Sequence, residues 1–127
     1  MDKKILIVDD EAHIRTLLEQ TLEDFEDEGV DIIQAENGKK GLDMIRAEKP
    51  NLVFLDVMMP VMNGYEVCRE VKDDDSLGEV YIIMLTAKGQ EFDQQKGEEA
   101  GADLYMTKPF DPDEIVIKAS SVLGVEV

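Results

Sequence analysis

Apolar residues run along this chain in two alternating patterns. Short unbroken runs, Ile5–Leu6–Ile7–Val8 and Leu52–Val53–Phe54–Leu55, read as strands buried on both faces. The second run closes on Asp56, with Pro60 and Asn63–Gly64 marking a loop beyond it. A fourth strand spans Glu79–Leu85 and ends at Thr86; a fifth spans Ala102–Thr107 and ends at Lys108–Pro109. Asp31–Ile32–Ile33–Gln34–Ala35 is shorter and more polar, as suits a sheet edge. Between these runs apolar residues recur at helical spacing. Ile14, Leu17, Leu18, Leu22 and Phe25 predict a helix from near Ala12 to before Gly29. Asn37–Gly38 reads as a turn; Leu42 and Ile45 mark a second helix, stopped before Pro50. Tyr65, Cys68 and Val71 line a third. A fourth, about Glu91 to Ala100, has little apolar surface to bury. Asp111 caps the last helix, Pro112 opens it, and Ile115, Val116, Ala119, Val122 and Leu123 face the core.

Strict alternation of strand and helix predicts an α/β fold: a five-stranded parallel doubly wound sheet, flavodoxin-like, in the order 2-1-3-4-5. The 127 residues suit a single domain spanning 1–127, with no output domain in this chain. In that order the first and third strands meet at the switch point, where such sheets bind ligands. Asp9 and Asp10 leave the first strand, Asp56 the third, Thr86 the fourth and Lys108 the fifth. All five point at one crevice.

Composition narrows the chemistry. A net charge of −17, from 30 acidic and 13 basic residues, repels phosphate backbones and anionic membrane. Direct nucleic-acid or membrane binding is therefore not expected. The run after Lys4 is too short for a signal peptide or a membrane span, so a cytoplasmic location is expected. The single cysteine, Cys68, forms no internal disulfide and reads as a small packed hydrophobe. His13, the sole histidine, reads as a surface residue near the crevice. Met58, Met59 and Met62 carry soft donors and read as loop packing.

Taken singly, the polar groups have ordinary explanations. Asp9–Asp10 would suit a helix N-terminus, Thr86 a strand end, Lys108 a solvated surface and Tyr105 core packing. Together they describe a reaction. Crowded carboxylates repel, and a divalent cation relieves them. Oxygen donors suit a hard ion such as Mg²⁺, with Mn²⁺ an alternative, and no calcium-binding loop is present. An ammonium opposite, from Lys108, completes a cradle for a dianionic phosphoryl group, to which Thr86 can donate. Phosphoryl transfer needs positioning and charge neutralisation. The central carboxylate, Asp56, is then the nucleophile.

The stretches Ile5–Leu6–Ile7–Val8–Asp9–Asp10–Glu11, Leu55–Asp56–Val57–Met58–Met59–Pro60–Val61–Met62–Asn63–Gly64, Leu85–Thr86–Ala87–Lys88, Gly101–Ala102–Asp103 and Lys108–Pro109–Phe110 resemble a response-regulator receiver domain over essentially the whole chain. The resemblance implies a phosphorylation-activated switch of a two-component system or phosphorelay, not an enzyme that turns over external substrates. Such a domain accepts a phosphoryl group and assists its own phosphorylation and dephosphorylation. It implies that Asp56 is the phosphoacceptor, Asp10 a direct metal ligand, Asp9 an assisting one and the Met58 backbone carbonyl a further one. Lys108 pairs with the phosphoryl group through a segment whose bond to Pro109 is usually cis. Thr86 and Tyr105 form the switch pair. Met58 and Lys88 flank the path of an attacking water and tune the phosphoryl lifetime, here toward the long end. The implied partners are a sensor histidine kinase or histidine phosphotransfer protein and a downstream effector. The output face comprises the fourth helix, fifth strand and fifth helix, with a homodimer through it as a further outcome.

Three rivals fare worse. A flavin phosphate would meet Asp9–Asp10–Glu11, which repel it. A phosphatase of the haloacid-dehalogenase type would place an Asp where Met58 stands. A degenerate receiver, acting only as a docking module, would lack residues that are all present here.

Overall fold

The computed structural model describes residues 3–87 and 99–127. Strands β1 (Lys3–Val8), β2 (Val30–Ala35), β3 (Leu52–Asp56), β4 (Tyr81–Ala87) and β5 (Leu104–Lys108) pair in parallel in the order β2-β1-β3-β4-β5. This is the predicted flavodoxin-like topology, with the polar second strand at an edge. The helices are α1 (Ala12–Thr21), α2 (Glu23–Glu26), α3 (Gly38–Glu48), α4 (Gly64–Lys72) and α5 (Pro112–Leu123).

The alternation of side chains along each strand builds two cores. Leu6, Val8, Val53, Leu55 and Met84 pack against Leu42 and Ile45 of α3 and Val67, Cys68 and Val71 of α4. Ile5, Ile7, Leu52, Phe54 and Leu85 pack against Leu18 of α1, Phe25 of α2 and Ile115, Ala119 and Leu123 of α5. With β3 at its centre buried throughout, the sheet is a rigid platform whose C-terminal edge carries the polar groups. Among the described residues no helix is long and apolar enough to cross a membrane.

Five local expectations change. The single helix predicted from Ala12 to Gly29 breaks at Leu22, whose backbone lies at φ −99° and ψ 3°. An unbroken helix would carry Glu23, Asp24 and Glu26 at its negative end; the break puts them in the first turn of α2 and still buries Phe25. Asn37–Gly38 and Asn63–Gly64, expected as a turn and a loop, instead start α3 and α4. The Asn37 side chain accepts from the Lys40 N–H, and Asn63 and Glu66 form a reciprocal capping box. The fourth strand begins at Tyr81 rather than Glu79, after a 3-10 turn at Asp75–Leu77, and runs through Thr86 to Ala87. The fifth begins at Leu104, because Asp103 is engaged from the side: its carboxylate accepts from the Ile82 N–H and the Lys72 ammonium, both at 2.8 Å. The helix predicted over 91–100 lies outside the described residues except at Glu99 and Ala100, which are helical.

Candidate functional site

The parallel register of β1 and β3 pairs Val8 with Leu55, so Asp9 leaves the sheet beside Asp56. The next strand pairs Leu85 with Asp56, which puts Thr86 one residue further along the same edge. Ala87 pairs with Lys108 on β5. One carboxylate oxygen from each of Asp9, Asp10 and Asp56 lies within 4.8 Å of the others. Asp9 is wholly buried, Asp56 is 5% exposed and Thr86 is buried, whereas Asp10 faces solvent.

The Lys108 ammonium bridges two of these acids. It donates to Asp9 Oδ2 at 2.7 Å and lies 3.3 Å from Asp56 Oδ1. Its peptide bond to Pro109 is cis. Asp9 Oδ1 accepts from the Glu11 N–H at 2.9 Å, and the Asp9 N–H donates to the Ala35 carbonyl at 3.3 Å. Asp56 is less well supplied, its Oδ1 accepting a long 3.4 Å bond from the Met58 N–H. Burial, and then the neighbouring Asp9 charge, push the Asp56 carboxyl up to about 6, against the pull of Lys108. Burial works against the charged form of Lys108, but its bond to Asp9 and the Asp56 charge outweigh that and raise its pKa.

The remaining sequence-level candidates stand at different distances from this centre. Tyr105 is half-buried, three residues before Lys108 on β5, and packs into the core beneath α3 and α4. Met58 contributes its backbone to Asp56 while its side chain is 54% exposed. Lys88 lies outside the described residues. His13 is exposed, as expected, and Cys68 is buried, its thiol pushed up to about 12 by burial.

Two contributors escaped the sequence reading. Gly64 lets α4 start against β3, because a Cβ there would stand 2.4 Å from the Asp56 carbonyl oxygen. Arg15 reaches back from α1 to donate to the Asp9 carbonyl at 2.6 Å. Its only sequence signal is a cation in the first turn of a helix, where the dipole disfavours one.

Among the described residues the donor set is uniformly hard oxygen, with three carboxylates facing the Lys108 ammonium. That set fits a small divalent cation that keeps several waters, such as Mg²⁺.

Comparison with known proteins agrees with this geometry. Residues 5–120 match the model of the response regulator receiver domain. The chain belongs to that family. It is 46% identical over 123 residues to the alkaline phosphatase synthesis transcriptional regulatory protein PhoP of Bacillus subtilis (strain 168), covering 97% of this chain and 49% of that protein. It is 45% identical over 121 residues to the phosphate regulon transcriptional regulatory protein PhoB of Pseudomonas aeruginosa, covering 95% of this chain and 52% of that protein. The receiver thus spans about half the length of the curated relatives it matches. Among solved structures, chemotaxis protein CheY4 of Vibrio cholerae superposes with a TM-score of 0.83 at 30% identity, covering 96% of this chain and 99% of that one. A CheY-like receiver domain protein of Methanospirillum hungatei JF-1 gives 0.80 at 34% identity, covering 96% and 94%. Receiver domains are signalling modules of two-component systems that bind Mg²⁺ in an acidic pocket, and Asp9, Asp10 and Asp56 form such a cluster here.

Proposed function

We propose that this receiver is switched by phosphorylation of Asp56. The donor is a phosphohistidine on a sensor kinase or a phosphotransfer protein. An Asp56 oxygen attacks the phosphorus, the P–N bond to the donor imidazole breaks, and an acyl phosphate remains. Asp10, Asp56 and the Met58 carbonyl, with Asp9 assisting, would hold Mg²⁺, which would supply charge neutralisation when bound. Lys108 moves its ammonium from Asp9 toward the new dianion, and the Thr86 hydroxyl donates to it. Movement of Thr86 frees space for the Tyr105 ring, which changes the face that includes β5 and α5; the fourth helix expected to share it lies largely outside the described residues. That face then binds an effector or a second copy of the chain.

The observation that carries this reading is the arrangement around one buried carboxylate. Asp56 has oxygens of Asp9 and Asp10 within 4.8 Å, and the Lys108 ammonium stands at 3.3 Å. A buried carboxylate so placed is poised to accept an electrophile. Incubation with acetyl phosphate and Mg²⁺ tests it by intact mass. A gain of one phosphoryl group, absent with EDTA and absent in Asp56→Asn, is expected; no adduct under any donor contradicts the reading. Met58 offers no polar group to orient an attacking water, so Met58→Asn shortens the lifetime of that adduct.

A further inference from the structure

Asp9 is fastened at four points. Its N–H donates to Ala35, its carboxylate accepts from Glu11 and Lys108, and its carbonyl accepts from Arg15. Asp10 is different. It is exposed, and among the described residues its carboxylate accepts no hydrogen bond. What aims it at the cluster is therefore the backbone. The Asp9 carbonyl and the Asp10 nitrogen belong to one planar peptide unit. A donor locked on that carbonyl fixes the plane from which the Asp10 side chain departs.

Arg15 occupies a position that is electrostatically poor for a cation. It lies in the first turn of α1, against the helix dipole. It also stands beside the place where a divalent cation would bind, which like-charge repulsion opposes. Part of that charge is balanced by Glu36. The Glu36 carboxyl is held low, chiefly by its hydrogen bond with Lys40 and in smaller part by Arg15. The short 2.6 Å bond to Asp9 is the contact that explains an arginine there.

We propose that Arg15 is a positioning residue for the cation site. It holds the Asp9–Asp10 peptide so that the Asp10 carboxylate faces Asp56. This rests on the reading of the acid cluster as a Mg²⁺ site.

Charge and hydrogen bonding predict opposite signs, which makes the test direct. Mg²⁺ is titrated into wild type, Arg15→Met and Arg15→Lys, following the amide shifts of Asp10 and Glu11, with urea unfolding in EDTA run alongside. The inference predicts that Arg15→Met binds Mg²⁺ about tenfold more weakly or worse, with Arg15→Lys between the two. A purely structural arginine would lower the urea midpoint and leave Mg²⁺ affinity of the folded protein unchanged. Arg15→Met binding as tightly as wild type, or more tightly as relief of repulsion requires, overturns the inference. If Arg15→Met does not fold, Arg15→Lys decides: its charge is kept, so weaker binding supports the role and unchanged binding overturns it. Wild type that binds no Mg²⁺ overturns the site reading itself, and the inference with it.

Discussion

Asp56 is costly to keep charged. Its carboxyl is raised from 3.8 to about 6 by burial and by the Asp9 charge, so the folded protein disfavours the ionised form relative to the unfolded chain. The stability this carboxyl allows is complete below pH 3.8 and is lost as pH rises through about 6. Removing the charge should therefore help. Asp56→Asn in EDTA is expected to be more stable than wild type by about 2 to 3 kcal/mol at pH 7.5. The gap should close near pH 4. Urea denaturation at both pH values checks the sign. Lys108 is the opposite case, because among the described residues it is the one cation paired with the buried Asp9 carboxylate. Lys108→Ala leaves that buried carboxylate uncompensated and is expected to cost about 3 kcal/mol at pH 7. Mg²⁺ should recover part of the loss, which the same denaturation with and without the ion reads directly. The acids and the lysine were legible because each follows an apolar run. Arg15 was not, because it acts through a backbone carbonyl that no residue type advertises.

At the scale of elements, the alternation of buried runs and helical spacing was enough to order all five strands. What it did not convey was how the helices begin. Asn63 and Gly64 look like a loop, yet the asparagine caps α4 and the glycine lets that helix start against the end of β3. The two residues should therefore fail differently. Asn63→Ala loses a cap worth about 1 kcal/mol and leaves Mg²⁺ binding unchanged. Gly64→Ala drives a Cβ to 2.4 Å from the Asp56 carbonyl oxygen. It is expected to cost about 1 to 3 kcal/mol and also to weaken Mg²⁺ binding, because relief of the clash displaces the nucleophile's own backbone. Calorimetric melting and a Mg²⁺ titration on the two variants separate a lost cap from a moved site. The break at Leu22 was hidden for a related reason. The apolar spacing continues through it, and only the run of acids that follows favours a second helix start. The loop after Asp56 also carries Val61, fully exposed at φ 70°, a conformation unfavourable for a β-branched residue. Backbone bonds from the Met62 N–H to the Pro60 carbonyl, at 2.8 Å, and from the Gly64 N–H to the Val57 carbonyl, at 2.9 Å, close the loop on either side of it.

The whole molecule places its acid cluster and its switch candidates on neighbouring strands of one sheet. Two apolar cores clamp β1 and β3, so the acids that leave those strands are fixed. The far side of the sheet, β4 and β5, carries Thr86, Tyr105 and Lys108. A charge change at Asp56 thus acts at the border between the two. The curated relatives are about twice as long as this chain and are transcriptional regulators by name, which suits a module whose surface is read by another domain or protein. If oxygen donors and Lys108 converge on Asp56 to receive a phosphoryl group, a mimic of that group should bind there. A crystal structure with Mg²⁺ and beryllofluoride tests it most directly. The account predicts beryllium bonded to an Asp56 oxygen, Mg²⁺ on Asp10, Asp56 and the Met58 carbonyl, and the Lys108 ammonium moved from Asp9 onto a fluoride. Density on a different carboxylate, or Lys108 still bound to Asp9 with Asp56 unmodified, would contradict it.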